Sequence, residues 1–217
     1  MDGQPGRRER KKQQTRQLIA DSARQLFVEH GFERVSVAEV ARRADVAEAT
    51  VFNYFPSKED LVFSGLERFE DELLEAIRDR AAGETILAAF ARFILMPRGF
   101  LAAGDDESAQ RLLEVSRMIA SSPALLAREQ QIFARCTASL TGLIAEETGV
   151  TDDDPRPGVA ASALIGVHRT LIEHVRRHIL SGEDDIPKLG RSTRTAGKKA
   201  IALLERGLAD YAARRSS

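Results

Sequence analysis

Apolar side chains recur along this chain at three- and four-residue intervals almost from end to end, the mark of one-sided helices. Strand-like alternation is hard to find, so the pattern predicts an all-α protein of about nine helices. Leu18, Ile19, Ala23, Leu26 and Phe27 share one face of a helix over residues 13–30, which stops where Gly31 can take the left-handed capping conformation. Ser36 offers a cap to a short helix whose inner side is Val37, Val40, Ala41 and Ala44. Asp45-Val46 makes a tight turn, since aspartate tolerates left-handed backbone, and a second short helix spans 47–54. Pro56 closes it. Ser57 and Asp60 have the spacing of a capping box and are expected to launch a long helix through Leu61, Leu66, Phe69, Leu73 and Ile77, ending at Gly83. Five longer helices follow, with breaks at 97–104, Ser122-Pro123, 149–158 and 182–190. Ser122-Pro123 opens one that runs to about residue 147, and the last two cover about 159–180 and 192–214.

Composition narrows the possible functions. With 217 residues, 43% of them hydrophobic, the chain can bury one or two real cores. Basic and acidic residues number 32 and 33, so any polyanionic partner must be held by a local patch rather than by bulk charge. The single cysteine, Cys136, excludes an internal disulfide and a cysteine metal knuckle and fits a reducing compartment. The basic amino terminus lacks the apolar run of a secretory signal, and no stretch approaches the ~20 apolar residues of a membrane helix. A cytoplasmic protein with no membrane partner is therefore expected. No glycine-rich phosphate loop, strand-turn nucleophile or histidine-partnered cysteine is present, so neither an enzyme nor a cofactor is expected.

Two short helices around a tight turn, braced by a longer one, are what a helix-turn-helix needs to enter the major groove. The stretch from Gly31 to Leu61 carries Gly31-Phe32, Ser36-Val37, Ala41, Ala44-x-Val46, Thr50 through Phe55, and Ser57-Lys58-Glu59-x-Leu61. In these residues it resembles the TetR family of bacterial transcriptional regulators, at motif level over residues 12–72. The resemblance implies a basic flexible tail at 1–12, a DNA-binding domain at 13–72 with the helix-turn-helix at 36–55, and a ligand-binding and dimerisation domain at 73–217. It also implies double-stranded operator DNA, a second copy of the chain and a small apolar effector as partners.

The candidate DNA contacts are Ser36, Val37, Ala38, Arg43, Ala47, Glu48, Ala49, Thr50, Phe52, Asn53, Tyr54 and Lys58, of which Arg43, with Arg42, either adds a phosphate contact or only complements the helix dipole. Ser36 can act as a helix cap, as a phosphate contact, or as both. Thr50, Tyr54 and Lys58 have the hydroxyl and ammonium donors suited to phosphate, and Asn53 the amide suited to adenine. Glu48 can accept from a cytosine amino group, repel wrong sequences, or stand solvated. The chain departs from the family at Ala47, Asp45 and Phe52, where serine, glycine and tyrosine are usual. Phe52 thus offers an apolar contact, such as a thymine methyl. Arg7, Arg8, Arg10, Lys11, Lys12 and Arg16 outnumber Asp2 and Glu9, so the tail either tracks phosphates or merely aids solubility.

In the carboxy-terminal part, Phe90, Phe93, Met96, Phe100, Met118, Phe133 and Cys136 read as ordinary core or as the lining of the effector cavity that the resemblance implies. His168, with Arg169, Glu173 and His174 on the same helix, reads either as an anchor for a ligand head group or as part of an interface or surface. Ala160, Ala163, Gly166, Val167 and Leu171, with Ile201, Leu204 and Leu208, are candidates for a dimer interface, because small residues admit close helix approach, and the small ones can equally pack against the last helix within one chain. His174 and His178 alone have metal-ligand spacing, and no metal is expected. The expected function is a homodimeric repressor released from a near-palindromic operator by a small molecule. The alternatives are a ligand-independent regulator, an activator, or a non-specific architectural DNA-binding protein.

Overall fold

The computed structural model describes residues 6–208 apart from 65, 104 and 152. Ten α-helices and two 3-10 turns make up the described residues, and no strand occurs among them. The chain divides into two compact units. One holds residues 1–66 with 118–128, and the other holds 67–117 with 129–217.

The amino-terminal unit begins with α1 (Arg7–His30), closed by Gly31 at φ 83°. Residues 7–12, expected as flexible tail, are its first turns, so the helix starts six positions before the predicted residue 13. The reason is local: residues 7–18, from RRERKK onward, contain no helix breaker. After a 3-10 turn at Phe32–Arg34 come α2 (Val37–Arg43) and α3 (Glu48–Tyr54). Between them Asp45 has φ 52°, so it supplies the left-handed turn expected of it. Ile19, Phe27, Val40, Val51 and Phe55 are buried, and the Phe27 and Phe32 rings meet edge to face at 5.1 Å.

The Ser57–Asp60 box forms, with the Ser57 amide and hydroxyl donating to the Asp60 carboxylate at 3.0 and 2.9 Å. It launches only the 3-10 turn Glu59–Leu61 rather than the expected long helix, which begins separately as α4 (Leu66–Arg78). Ser64, a poor helix former, lies at that break. Residues 118–128 complete this unit. There Ser122 Oγ donates to Glu33 at 2.6 Å, and the Arg128 guanidinium pairs with buried Asp60 at 2.7 Å.

The second unit is built from α4, α5 (Ile86–Ile94), α6 (Phe100–Ala103), most of α7 (Asp106–Ser121) and α8 (Pro123–Thr148), α9 (Arg156–Leu180) and α10 (Ile186–Leu208). The short α6 lies inside the predicted break at 97–104. Its main core joins Leu73, Ile77, Phe90, Leu140, Ile144 and Leu164. A smaller core gathers Val175, Ile179, Ile186 and Leu189. Arg80, itself buried, ties the end of α4 to Glu147 with two hydrogen bonds of 2.9 and 2.6 Å. α10 begins six residues before the predicted start at 192, because Asp185 accepts from the Lys188 amide at 2.7 Å and Pro187 follows as an early-turn residue.

Candidate nucleic-acid interface

Helix α3 has seven residues, about 10 Å of helix, and its two faces differ sharply. Val51 and Phe55 are buried, whereas Ala47, Glu48, Ala49, Phe52 and Asn53 are exposed and Thr50 and Tyr54 half-buried. Phe52 leaves 46% of its surface open, unusual for a phenylalanine on so short a helix. Ala47 caps α3 with no side-chain bond. The end of the helix is held instead by Arg16 of α1, whose guanidinium donates to the Tyr54 carbonyl at 2.7 Å and lies 4.4 Å over the Phe55 ring. The charge pattern left Arg16 open between tracking phosphates and aiding solubility, and only the fold reveals that it braces α3.

Ser36 closes a complete capping box at the start of α2. Its hydroxyl accepts from the Glu39 amide at 3.2 Å, while the Glu39 carboxylate accepts from the Ser36 amide and hydroxyl, both at 2.7 Å. Those bonds, the amide's first, hold the exposed Glu39 carboxyl below the usual carboxylate range. The cap role therefore accounts for both hydrogen bonds of the Ser36 hydroxyl. Val37 is half-buried and Ala38 exposed on the first turn that follows.

The cations divide into two kinds. Arg43, a candidate DNA contact, is engaged with α1: it bonds Glu29 at 3.1 Å and Gln25 at 3.0 Å, so its charge is matched by a carboxylate. Lys58 lies 4.2 Å over the Phe32 ring and donates to the Glu33 carbonyl at 3.5 Å, contacts that leave its charge unmatched. Arg8, Arg10, Lys11 and Lys12 are exposed on the first turns of α1.

The candidate effector residues part company. Phe90, Phe93, Phe133 and Cys136 lie in the main core of the second unit, and buried His168 packs on its edge against the Phe69 and Phe133 rings. Met96 is 55% exposed, and Met118 belongs to the amino-terminal unit, so neither joins them. The side chains of Phe100 and Leu208 lie outside those described. Burial, then the Glu70 carboxylate, pushes the Cys136 thiol up to about 11, which makes it a packing residue rather than a nucleophile.

The dimer candidates need a similar correction. Ala160, Val167, Leu171 and Ile201 are buried in the chain's own core, because the stripe they form is the inward face of α9 and α10. Ala163 and Leu204 are half-buried, Gly166 is exposed, and the large apolar side chains left open on these helices, among the described residues, are Val159, Leu180 and Leu203, at 61%, 41% and 64%. His174 and His178 face each other with ring centres 4.1 Å apart, and His178 Nδ1 donates to the His174 carbonyl at 2.8 Å. Among the described residues no group of three or more His, Cys, Asp or Glu could hold a metal, and no helix is long and apolar enough to cross a membrane.

A short exposed helix, braced by α1 and set by a tight turn against a capped partner, defines a helix-turn-helix DNA-binding regulator. The family described as bacterial regulatory proteins, tetR family, matches residues 19–64, and the MftR C-terminal domain matches residues 85–189. The chain belongs to the TetR family of bacterial transcriptional regulators, a family of regulators rather than enzymes. It is 29% identical over 170 residues to the HTH-type transcriptional regulator TcmR of Streptomyces glaucescens, covering 77% of this chain and 75% of that one. Over 80 residues it is 42% identical to the HTH-type transcriptional repressor KstR of Mycolicibacterium smegmatis, covering 37% of this chain and 36% of that one. The fold is also that of the fatty acid degradation regulator FadR from Bacillus halodurans, with a TM-score of 0.51 at 21% identity over 83% of this chain and 96% of that one.

Proposed function

We propose that this regulator is a repressor that binds a near-palindromic operator as a homodimer and leaves it when a small, largely apolar effector binds the second unit. The observation that carries the DNA reading is the exposed row Glu48, Ala49, Phe52 and Asn53 on α3, opposite the buried Val51 and Phe55. Asn53 has the amide for a bidentate contact with adenine, and exposed Phe52 an apolar face for a thymine methyl. Thr50, Tyr54 and Lys58 flank the row with phosphate donors, and the cations on the first turns of α1 extend the electrostatic footprint. A seven-residue helix reads only a short half-site, which is the reason to expect two copies on one operator. The aromatic side chains Phe93 and Phe133 in the core, with Phe69 and Phe133 against the His168 ring, support an apolar effector. An effector that binds the DNA-incompetent state better shifts the population away from DNA, with a coupling of ~1 to 3 kcal/mol expected.

Selection of bound sequences from a random duplex pool with the full chain tests this reading. The expected result is one enriched near-palindrome with half-sites about one helical turn apart. Binding without enrichment that disappears as salt rises would sink it in favour of a non-specific architectural protein.

A further inference from the structure

We propose that His168 is the polar anchor of a buried site for an uncharged, mainly apolar molecule that carries one hydrogen-bonding oxygen. The inference rests on the reading that the second unit takes the effector, and it supplies the chemical class of that effector. His168 sits near the middle of α9 with 8% of its surface exposed, and its Nε2 is buried without a hydrogen-bond partner. Phe69 of α4 stacks on the ring at 4.1 Å and 10°, and Phe133 of α8 meets it nearly edge-on at 5.9 Å. Phe93 of α5 packs in turn on Phe69 at 5.4 Å. Phenylalanines from α4 and α8 thus flank the His168 ring of α9, and a third from α5 backs Phe69. A buried nitrogen with no partner lowers stability, and a phenylalanine cluster has no packing need for it. A group that enters and bonds Nε2 removes that penalty.

The surroundings also select the ligand's charge. Burial keeps the ring neutral, with its pKa pushed down to about 4, so it brings no positive charge to a carboxylate. The two arginines beside the cluster are already matched. Arg98 pairs with Glu72 at 2.8 Å while lying 3.7 Å over the Phe93 ring, and Arg135 pairs with Glu70 at 3.0 Å. The second Glu70 oxygen accepts from Ser139 at 2.9 Å. Beside an anion the described arginines, Arg98 and Arg135, are already paired, and beside an ammonium so are the described carboxylates, Glu70 and Glu72. A neutral hydroxyl can donate to Nε2 or a carbonyl accept from it, according to the tautomer.

Three probes of one shape separate these cases: 1-naphthol, naphthalene and 1-naphthoate, titrated calorimetrically into the full chain, with 15N-histidine spectra following Nε2 of His168. The expected result is that 1-naphthol binds at least ten-fold more tightly than either other probe and moves the His168 Nε2 resonance. In His168→Phe, which keeps a ring but loses the nitrogen, the advantage over naphthalene should vanish. In His168→Gln, which restores a polar group and serves if the first variant folds poorly, part of it should return. Equal binding of naphthol and naphthalene, a preference that survives in His168→Phe, a resonance held unmoved by a trapped water, or no binding of any probe each overturns the proposal. Operator affinity measured in parallel separates the two readings. Naphthol that binds at His168 without weakening DNA binding sinks effector release and leaves the site standing. Release that is undiminished in His168→Phe does the reverse.

Discussion

Two cations beside the helix-turn-helix look alike in the sequence and differ in what matches their charge. The Arg43 charge is met by the Glu29 carboxylate at 3.1 Å, whereas Lys58 rests on a ring and a carbonyl. Counterion release counts only charge placed on phosphates. Lys58→Ala should therefore reduce the slope of log affinity against log salt by about 1, and Arg43→Ala should leave it unchanged. Binding isotherms at four salt concentrations check both, and equal slopes for the two variants would show that Arg43 leaves Glu29 for the DNA. His168 gives a second prediction at this scale. Its folded pKa of about 4 lies below the ordinary value of 6.5, so the unfolded chain binds more protons between them. Stability is thus fully present above about pH 6.5 and is lost as pH falls toward 4, amounting to about 2 kcal/mol between pH 7 and 5. Denaturant melts at those two pH values should show this loss in the wild type and a smaller one in His168→Phe.

At the scale of elements, what was legible is what local chemistry decides. The α2 cap and the Asp45 turn are each written in a few consecutive residues, and both form as expected. The start of α10 was equally local, an aspartate cap before Ile186-Pro187, yet Gly190 drew attention as a breaker and instead lies inside the helix. The roles of Arg16 and Arg43 were not legible, because their partners lie 38 and 14 residues away in the chain and only packing brings them together. The same holds for the dimer candidates, since a stripe of small and branched residues looks the same whether it faces the chain's own core or another copy. Gly197 shows how such closeness is read from the fold. A Cβ built there would lie 2.6 Å from Leu95 Cδ2 and 3.3 Å from Leu171 Cδ1, so α10 packs where only glycine fits without movement. Gly197→Val should destabilise the chain by about 1 to 3 kcal/mol through overpacking, despite removing a flexible residue from a helix. Thermal melts read the loss directly, and an unchanged melting temperature would mean that Leu95 simply moves aside.

For the whole molecule the question is how a chain with 32 basic and 33 acidic residues obtains a firm grip on a polyanion. Local charge at α1 and Lys58 gives attraction, and α3 gives reading, but one such module spans only a half-site. Two linked modules gain the effective concentration that one lacks, commonly 10²- to 10⁴-fold in affinity without any new contact. If the copies meet through α9 and α10, they must use what those helices leave open, which includes Val159, Gly166, Leu180 and Leu203, rather than the buried Ala160, Val167, Leu171 and Ile201. Leu203→Glu puts a charge on the outward face and leaves the core stripe untouched. The variant should keep its helical content, sediment as a monomer, and bind the full operator about 100-fold more weakly while binding an isolated half-site as the wild type does. A variant that still sediments as a dimer would move the interface off this face. One that becomes a monomer yet keeps full operator affinity would show that a single α3, with its Phe52 and Asn53, carries the specificity alone.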